Sequence, residues 1–389
     1  MHSNSASFSR SKFAWALVFM LSQLALAWGL APSYLHLNQW DSDNYKRIAV
    51  HGYHIPPGKI QPKQIWDGVA NAVFFPGYPL ISQAVSRVTG VSIDLALLLS
   101  SQLACLLFWI YFFSWMEQEG IPPRQALQWG LLVFIYPSAY FMVTGYTESL
   151  FLAMMMGFLF WTDRWSRKKS PLSWFLALAH GGFLNFTRIV GTALAPHPIF
   201  EKARDWKAWV LGGGITAGCM GFFAFCKWKF NEWNLYFRLE EIGWGNHRLW
   251  LATLNPLTYL PHFFFEETTQ SFNRLTVTFC GVAFLIMATR LWRLGKRGAP
   301  LWGLSLIAFL LFYIPVTGKA AAHLDSMARY TLPVLVLLTL CWARAERLGI
   351  PFLVFEGKKK KRLAWTLGLF SMAVQVWFAY RFARGHWIA

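Results

Sequence analysis

The chain has 389 residues, with 36 Lys and Arg against 18 Asp and Glu, for a formal net charge of +18. Apolar residues make up 56% of it and charged residues 14%, against about 25% charged in an average soluble protein. This excludes a disordered chain, which needs low hydrophobicity. It also excludes an ordinary soluble globule, because the apolar residues arrive in runs of about twenty, long enough to cross a bilayer.

The runs predict an all-α polytopic membrane protein with about eleven spanning helices. They centre on residues 13–33, 93–115, 126–143, 147–161, 172–187, 189–200, 209–226, 275–290, 301–316, 331–343 and 363–380. The first has a basic start (Arg10, Lys12) like a signal peptide, but many spans follow, so it reads as an uncleaved helix. The sixth holds Pro196 and Pro198 and is expected to be broken or tilted. A broken helix at membrane depth needs protein or a water-filled cavity around it. The whole chain, 1–389, reads as one integral membrane domain.

With the N-terminus in the cytoplasm, the inside segments are 1–12, 117–125, 162–170, 201–208, 290–299 and 343–362. They carry most of the Lys and Arg, while most of the Asp and Glu fall on the other side. That is the positive-inside pattern. Lys358-Lys359-Lys360-Lys361-Arg362 then reads as a topology signal and a contact for anionic membrane lipids. Lying between two spans, it does not point to nucleic acid. The five cysteines (Cys105, Cys219, Cys226, Cys280, Cys341) have no metal-type spacing. Two outside loops are long, 34–92 and 227–274. Both are rich in aromatic residues, which favour the membrane–water boundary, and they read as interfacial helices.

The first loop holds Gln39-Trp40-Asp41-Ser42-Asp43-Asn44-Tyr45-Lys46-Arg47. Asp41 and Asp43 form a D-x-D, which either caps a helix start or does chemistry. Two aspartates alone are a thin metal site, so no cofactor and no obligatory divalent metal is expected. Phe74-Phe75-Pro76-Gly77-Tyr78-Pro79 marks a turn between aromatics. Tyr78 there reads as an interface anchor or as a hydrogen-bond donor to substrate. Glu148, in Tyr146-Thr147-Glu148-Ser149, is costly at the start of a membrane helix unless satisfied. It either helps the helix dipole or faces a polar cavity. Arg188, Lys319 and Arg329 lie on the side where positive charge is otherwise diluted. They either snorkel to headgroups or bind phosphate, for which arginine's paired donors are suited. Carboxylates and cations gathered at one face suit acid–base chemistry on a phosphorylated lipid. Nucleotide sugars are generally unavailable outside the cytoplasm in prokaryotes, so a lipid-linked donor is the expected partner.

These motifs resemble the GPI mannosyltransferase 2 family (class V phosphatidylinositol-glycan mannosyltransferases) and its prokaryotic relatives. The resemblance rests on Trp40-Asp41 with Tyr45, Ile48-Ala49 and Gly52-Tyr53, then Phe74 to Leu80, Tyr146 to Phe151, Asn185 to Arg188, and Ser326 to Tyr330. It covers roughly residues 36–330. It implies a GT-C-type helical bundle with its active site at the outer or lumenal face. It also implies a polyprenyl-phosphate sugar donor, typically mannose, a lipid-linked or glycan acceptor, and inversion at the anomeric carbon. The superfamily's catalytic acid carries over to Asp41, with Asp43 second. Arg329, Arg188 and Lys319 are then expected to hold the donor phosphate. Trp40, Tyr45, Tyr78, Tyr146, Glu148 and Tyr330 are expected to bind substrate, with Trp233 and Trp244 as further sugar-stacking candidates. The membrane is the plasma (inner) membrane of a prokaryote or the endoplasmic reticulum of a eukaryote. A transporter or flippase of polyprenyl-linked sugars is the alternative, although no internal repeat is seen of the kind such proteins carry. A glycolipid-binding protein without turnover is the other.

Overall fold

The computed structural model describes residues 3–245, 268–319, 326–350 and 358–386. No strand occurs among the described residues, and the chain is an all-α polytopic membrane protein. Helix α1 (Ser3–Gly29) is followed by the four short elements of the first loop: a 3₁₀ turn Tyr34–Leu37, α2 (Asp41–His51), α3 (Pro62–Trp66) and α4 (Gly77–Thr89). Then come α5 (Ile93–Gln118), α6 (Pro123–Phe134), α7 (Glu148–Lys168) and α8 (Pro171–Thr187). The punctuation is chemical. The Ser92 hydroxyl accepts from Leu95 N at the start of α5, and Ser170 with Pro171 opens α8. Gly90 ends α4 in the left-handed conformation.

Past α8 the spans are less regular. The segment expected at 189–200 is broken, with a 3₁₀ stretch Ile189–Leu194 and the short α9 (His197–Lys202) on either side of Pro196. The segment expected at 209–226 is α10 (Trp206–Ile215) and α11 (Ala217–Phe230), bent by 43°. Thr216 causes the bend: its N–H and its hydroxyl both donate to Gly213 O, which tightens the last turn of α10. Helices α12 (Leu235–Trp244), α13 (Thr268–Leu294), α14 (Ala299–Lys319), α15 (Met327–Tyr330), α16 (Leu332–Arg347) and α17 (Lys358–Ala383) complete the order.

Among the described residues, three stretches are long and apolar enough to cross a membrane, namely Ser11–Gly29, Ile93–Gln118 and Thr276–Pro315, and the bent pair α10–α11 makes a fourth if it is one span. The remaining expected spans are shorter or carry charge. The one expected at 126–143 stops at Phe134 and resumes as a 3₁₀ turn Ala139–Val143, because Pro137 disfavours helix before it. Helices α8 and α16 have 17 and 16 residues, short of the ~20 that a full crossing takes. Of the second long loop, α12 is described and 246–267 lie outside the described residues.

Two cores hold the fold. The main one is centred on α5, whose Phe108, Trp109, Phe112, Phe113 and Trp115 are fully buried against α1 and α7. Gln23 of α1 lies in this core with its polar atoms used: it donates to Ala139 O (3.3 Å) and accepts from Trp109 Nε1 (2.9 Å). The second core joins the two long loops. Ile48, Tyr53, Ile65 and Phe75 of the first pack on Phe222, Phe223, Leu235 and Leu239 of α11 and α12, and Trp66 Nε1 donates to Gly243 O at 2.8 Å.

Helices α8 and α11 meet backbone to backbone at Gly218. A Cβ there would run into Gly182 O and lie 2.5 Å from Phe186 N, whereas one at Gly213 meets nothing within 4 Å. Gly218→Ala is expected to cost about 1–3 kcal/mol through overpacking. Thermal unfolding in detergent should show a lower midpoint for Gly218→Ala and none for Gly213→Ala; equal midpoints would reject the close approach.

Candidate functional site

The site is built where the first loop meets the turn before α7. Gly145 N donates to Leu37 O (3.2 Å), and the Ser42 hydroxyl donates to Gly145 O (2.9 Å). A side chain at Gly145 would run into Asn38, so glycine is needed for this approach. Asn38 Nδ2 donates to Asp94 O (2.8 Å), and Lys46 pairs with the Asp94 carboxylate (2.8 Å). These contacts seat the start of α2 on the start of α5. Trp40, at φ +53°, turns the chain into α2, so Asp41 stands in the first helical turn, where the helix dipole favours a negative charge.

The aromatic turn supports the same corner. Gly77 lies against α8, where a Cβ would be 2.7 Å from Phe186 O. The Tyr78 hydroxyl is engaged with Leu97 O (2.7 Å) and Ser101 Oγ (2.9 Å), and Ser101 donates in turn to Tyr146 O (2.9 Å). Tyr45 packs edge-on against Phe74, Tyr78 and Tyr146, with ring centroids 5.3, 5.1 and 6.5 Å apart. Burial pushes the Tyr45 phenol above its ordinary pKa, and the Asp41 and Glu148 carboxylates push it the same way. The group therefore stays protonated, as a donor.

Two arginines arrive from elsewhere in the chain. Arg188 follows α8 in extended conformation, and its Nη1 donates to Glu148 Oε1 at 2.7 Å. Arg329 lies in α15, which Ser326 opens at φ +65°. Its Nη1 donates to Asp41 Oδ2 at 2.8 Å, and its Nε lies 3.2 Å from Glu148 Oε1. Tyr136 OH with Thr331 Oγ1, and Ser138 Oγ with Ala328 O (each 2.6 Å), fix this segment. Aromatic faces line the cations. Arg188 stands over Tyr330 at 4.8 Å and Phe151 at 5.8 Å; Arg329 stands over Tyr146 at 5.2 Å, Tyr330 at 5.4 Å and Phe141 at 5.8 Å.

Asp41, Glu148, Arg188 and Arg329 thus form one chain of ion pairs, two negative and two positive, with Glu148 only 2% exposed. Glu148 Oε2 and the Tyr146 and Ser149 hydroxyls have no hydrogen-bond partner among the described residues. The arrangement offers guanidinium donors to an anion, and polar atoms to a hydroxylated ligand. Its two carboxylates already face cations, which disfavours a metal ion between them.

Other expected site residues lie apart. Asp43 is exposed, since two positions along a helix turn it by about 200° from Asp41. Trp40 and Trp233 are 43% and 55% exposed. Trp244 reaches the corner indirectly, its ring edge-on to Phe74 at 6.5 Å. The side chain of Lys319 lies outside the described residues. Sequence reasoning missed Phe141 and Phe151 as faces for the arginines, and Ser42, Gly145 and Ser101 as ties. Apolar runs and small residues give no signal of such roles.

No protein-family model matches the chain, and no curated protein matches it. Solved structures similar to it include two membrane proteins. One is ArnT from Cupriavidus metallidurans bound to undecaprenyl phosphate, with 14% identity and a TM-score of 0.49, over 96% of this chain and 76% of that one. The other is the Archaeoglobus fulgidus oligosaccharyltransferase in its apo form, with 13% identity and a TM-score of 0.48 over 96% of this chain. The chain spans 56% of that protein's length.

Glu148→Gln removes the carboxylate that both arginines share. Breaking a buried ion pair on one side costs about 3–5 kcal/mol. Denaturation of the purified variant should show a lowered midpoint, and a wild-type midpoint would mean that the ion pairs are not the anchor described.

Proposed function

We propose that the chain is a membrane glycosyltransferase that moves a sugar, mannose on the motif resemblance, from a polyprenyl-phosphate carrier to a hydroxyl of a lipid-linked or glycan acceptor. The observation that carries this reading is the Asp41–Arg329–Glu148–Arg188 chain of ion pairs, with Arg329 and Glu148 buried and Asp41 and Arg188 partly so. It joins a candidate base to two candidate phosphate ligands. The site lies at the end of the bundle that holds the first loop, which the distribution of Lys and Arg assigns to the outer face.

The reaction is a single displacement. The acceptor oxygen forms a bond to the anomeric carbon, the bond from that carbon to the phosphate oxygen breaks, and the acceptor's proton passes to Asp41. Arg329 and Arg188 neutralise the charge growing on the departing phosphate. Arg329 Nη1 donates to Asp41 Oδ2, so the carboxylate and a phosphate would compete for the same donors. A phosphate that takes the Arg329 donors releases Asp41 to act. Tyr146 and Glu148 Oε2 orient sugar hydroxyls. Tyr78 supports this through Ser101, and Tyr330 through its ring between the two arginines.

The test is transfer of labelled mannose from polyprenyl-phosphate mannose by purified protein in lipid, with a glycolipid extract of the source cells as acceptor. Asp41→Asn should lower the rate by about 10²–10⁴-fold, and wild-type turnover in a folded Asp41→Asn protein would reject the base. Arg329→Ala should raise the donor concentration needed for half-maximal rate more than the acceptor concentration. An unchanged donor dependence would remove the phosphate role from Arg329. No transfer from any polyprenyl-linked donor, with donor still bound, would favour a glycolipid-binding protein.

A further inference from the structure

A second buried ionic cluster lies at the far end of the bundle. Arg344 of α16 is its hub. Its Nη2 donates to Asp163 Oδ2 (2.8 Å) and Glu119 Oε1 (3.1 Å), its Nε to Glu119 Oε2 (3.3 Å) and its Nη1 to Glu201 Oε1 (3.4 Å). Trp115 Nε1 also donates to Asp163 Oδ2 (2.9 Å), and His197 Nε2 bonds to Asp163 Oδ1 (2.8 Å). Arg167 and Arg347 pair with Glu119. Glu119 and Asp163 are each 1% exposed in their side chains.

Asp163, His197 and Glu201 come close enough together to suggest a metal site. Charge argues against one. The three carboxylates Glu119, Asp163 and Glu201 already face the three arginines. Arg344 itself bonds to two of the three candidate ligands, Asp163 and Glu201.

The placement of this cluster points elsewhere. Glu148 and Asp163 both belong to α7, fifteen positions apart, and Arg329 and Arg344 are also fifteen positions apart. The second segment is helical on both sides of Thr331, where Thr331 N bonds to Met327 O and Leu335 N to Thr331 O across the junction of α15 and α16. At about 1.5 Å per residue each segment spans about 22 Å. Two segments of equal length are therefore bridged by a carboxylate–arginine pair at each end.

We infer that the Asp163–Arg344 pair, with Trp115, His197 and Glu119 around it, is a remote positioning element that fixes the register in which Glu148 meets Arg329. A buried ion pair is weak as a source of stability, but it specifies one arrangement against others. Sliding or rotating α7 against α16 would leave at least one buried charge unpaired. Each segment is held by other helices, α7 by α5 and α8 and α16 by α14 and α6, so the two are tied to each other through the arginine bridges at their ends. The importance of this register for catalysis rests on the glycosyltransferase reading; the register itself does not.

Hydrogen exchange on the full chain in lipid nanodiscs tests it. The variants are Arg344→Gln, Arg344→Lys, which keeps the charge but not the fork, and Trp115→Phe, a mild change that removes one bond to Asp163. Amides of 148–152 and 327–331 should exchange about tenfold faster in Arg344→Gln and by less in Arg344→Lys and Trp115→Phe, while amides of α1 keep wild-type rates. Faster exchange confined to 160–168 and 340–347, or uniform loss of protection, would overturn the inference. If Arg344→Gln does not fold, the two milder variants decide by the same criterion. Mannosyl transfer is measured in parallel. A drop in turnover together with outer-end exchange ties the register to catalysis. Outer-end exchange in a protein whose wild type transfers nothing would support the register and reject the functional reading alone.

Discussion

Glu148 is the residue on which the site depends. A carboxylate this deeply buried is tolerable only if cations reach it, and two do, from segments 40 and 181 positions away in the chain. That requirement draws the end of α8 and the start of α15 to the start of α7. Because Arg329 also pairs with Asp41, the same requirement docks the first loop onto the bundle. Small residues make the docking possible: Gly77 admits the Phe186 carbonyl, and Gly145 leaves room for the Asn38 and Ser42 side chains.

The chemistry proposed for this corner grows out of its economy of charge. Two carboxylates and two guanidinium groups balance without a ligand. In the proposed reaction a phosphate entering such a site competes with the carboxylates for the same donors. The aromatic faces around Arg188 and Arg329 hold the guanidinium planes while leaving their edges for hydrogen bonding. The second network, around Arg344, is also charge-balanced and buried, but its groups bond to one another and to Trp115. It offers little to a ligand and much to the bridge between α7 and α16.

Much of the fold was legible in the sequence. The apolar runs marked the helices at 93–118, 171–187 and 358–383 to within a few residues, because burial in lipid or core leaves an unbroken apolar signature. The irregular stretches were less so. Pro196 announced the break at 189–202, but the bend at Thr216 arises from a hydroxyl competing for a backbone carbonyl, which composition does not reveal. In the candidate site, Asp41, Glu148, Arg188 and Arg329 stood out as charges that topology did not explain. Asp43, ranked second to Asp41 from the sequence, is turned outward by α2.

The sequence by itself determined that this is a helical membrane protein, and it identified the charges that sit where charge is expensive. It could do so because burial energetics act on each residue locally, whatever its partners. Only the tertiary structure decided which of those charges meet. Pairing at 2.7–3.2 Å between residues up to 288 positions apart depends on how helices pack, not on their spacing along the chain. The same holds for Tyr78: its motif was plain, but the fold commits its hydroxyl to Leu97 and Ser101 and leaves Tyr146 facing the ion pairs.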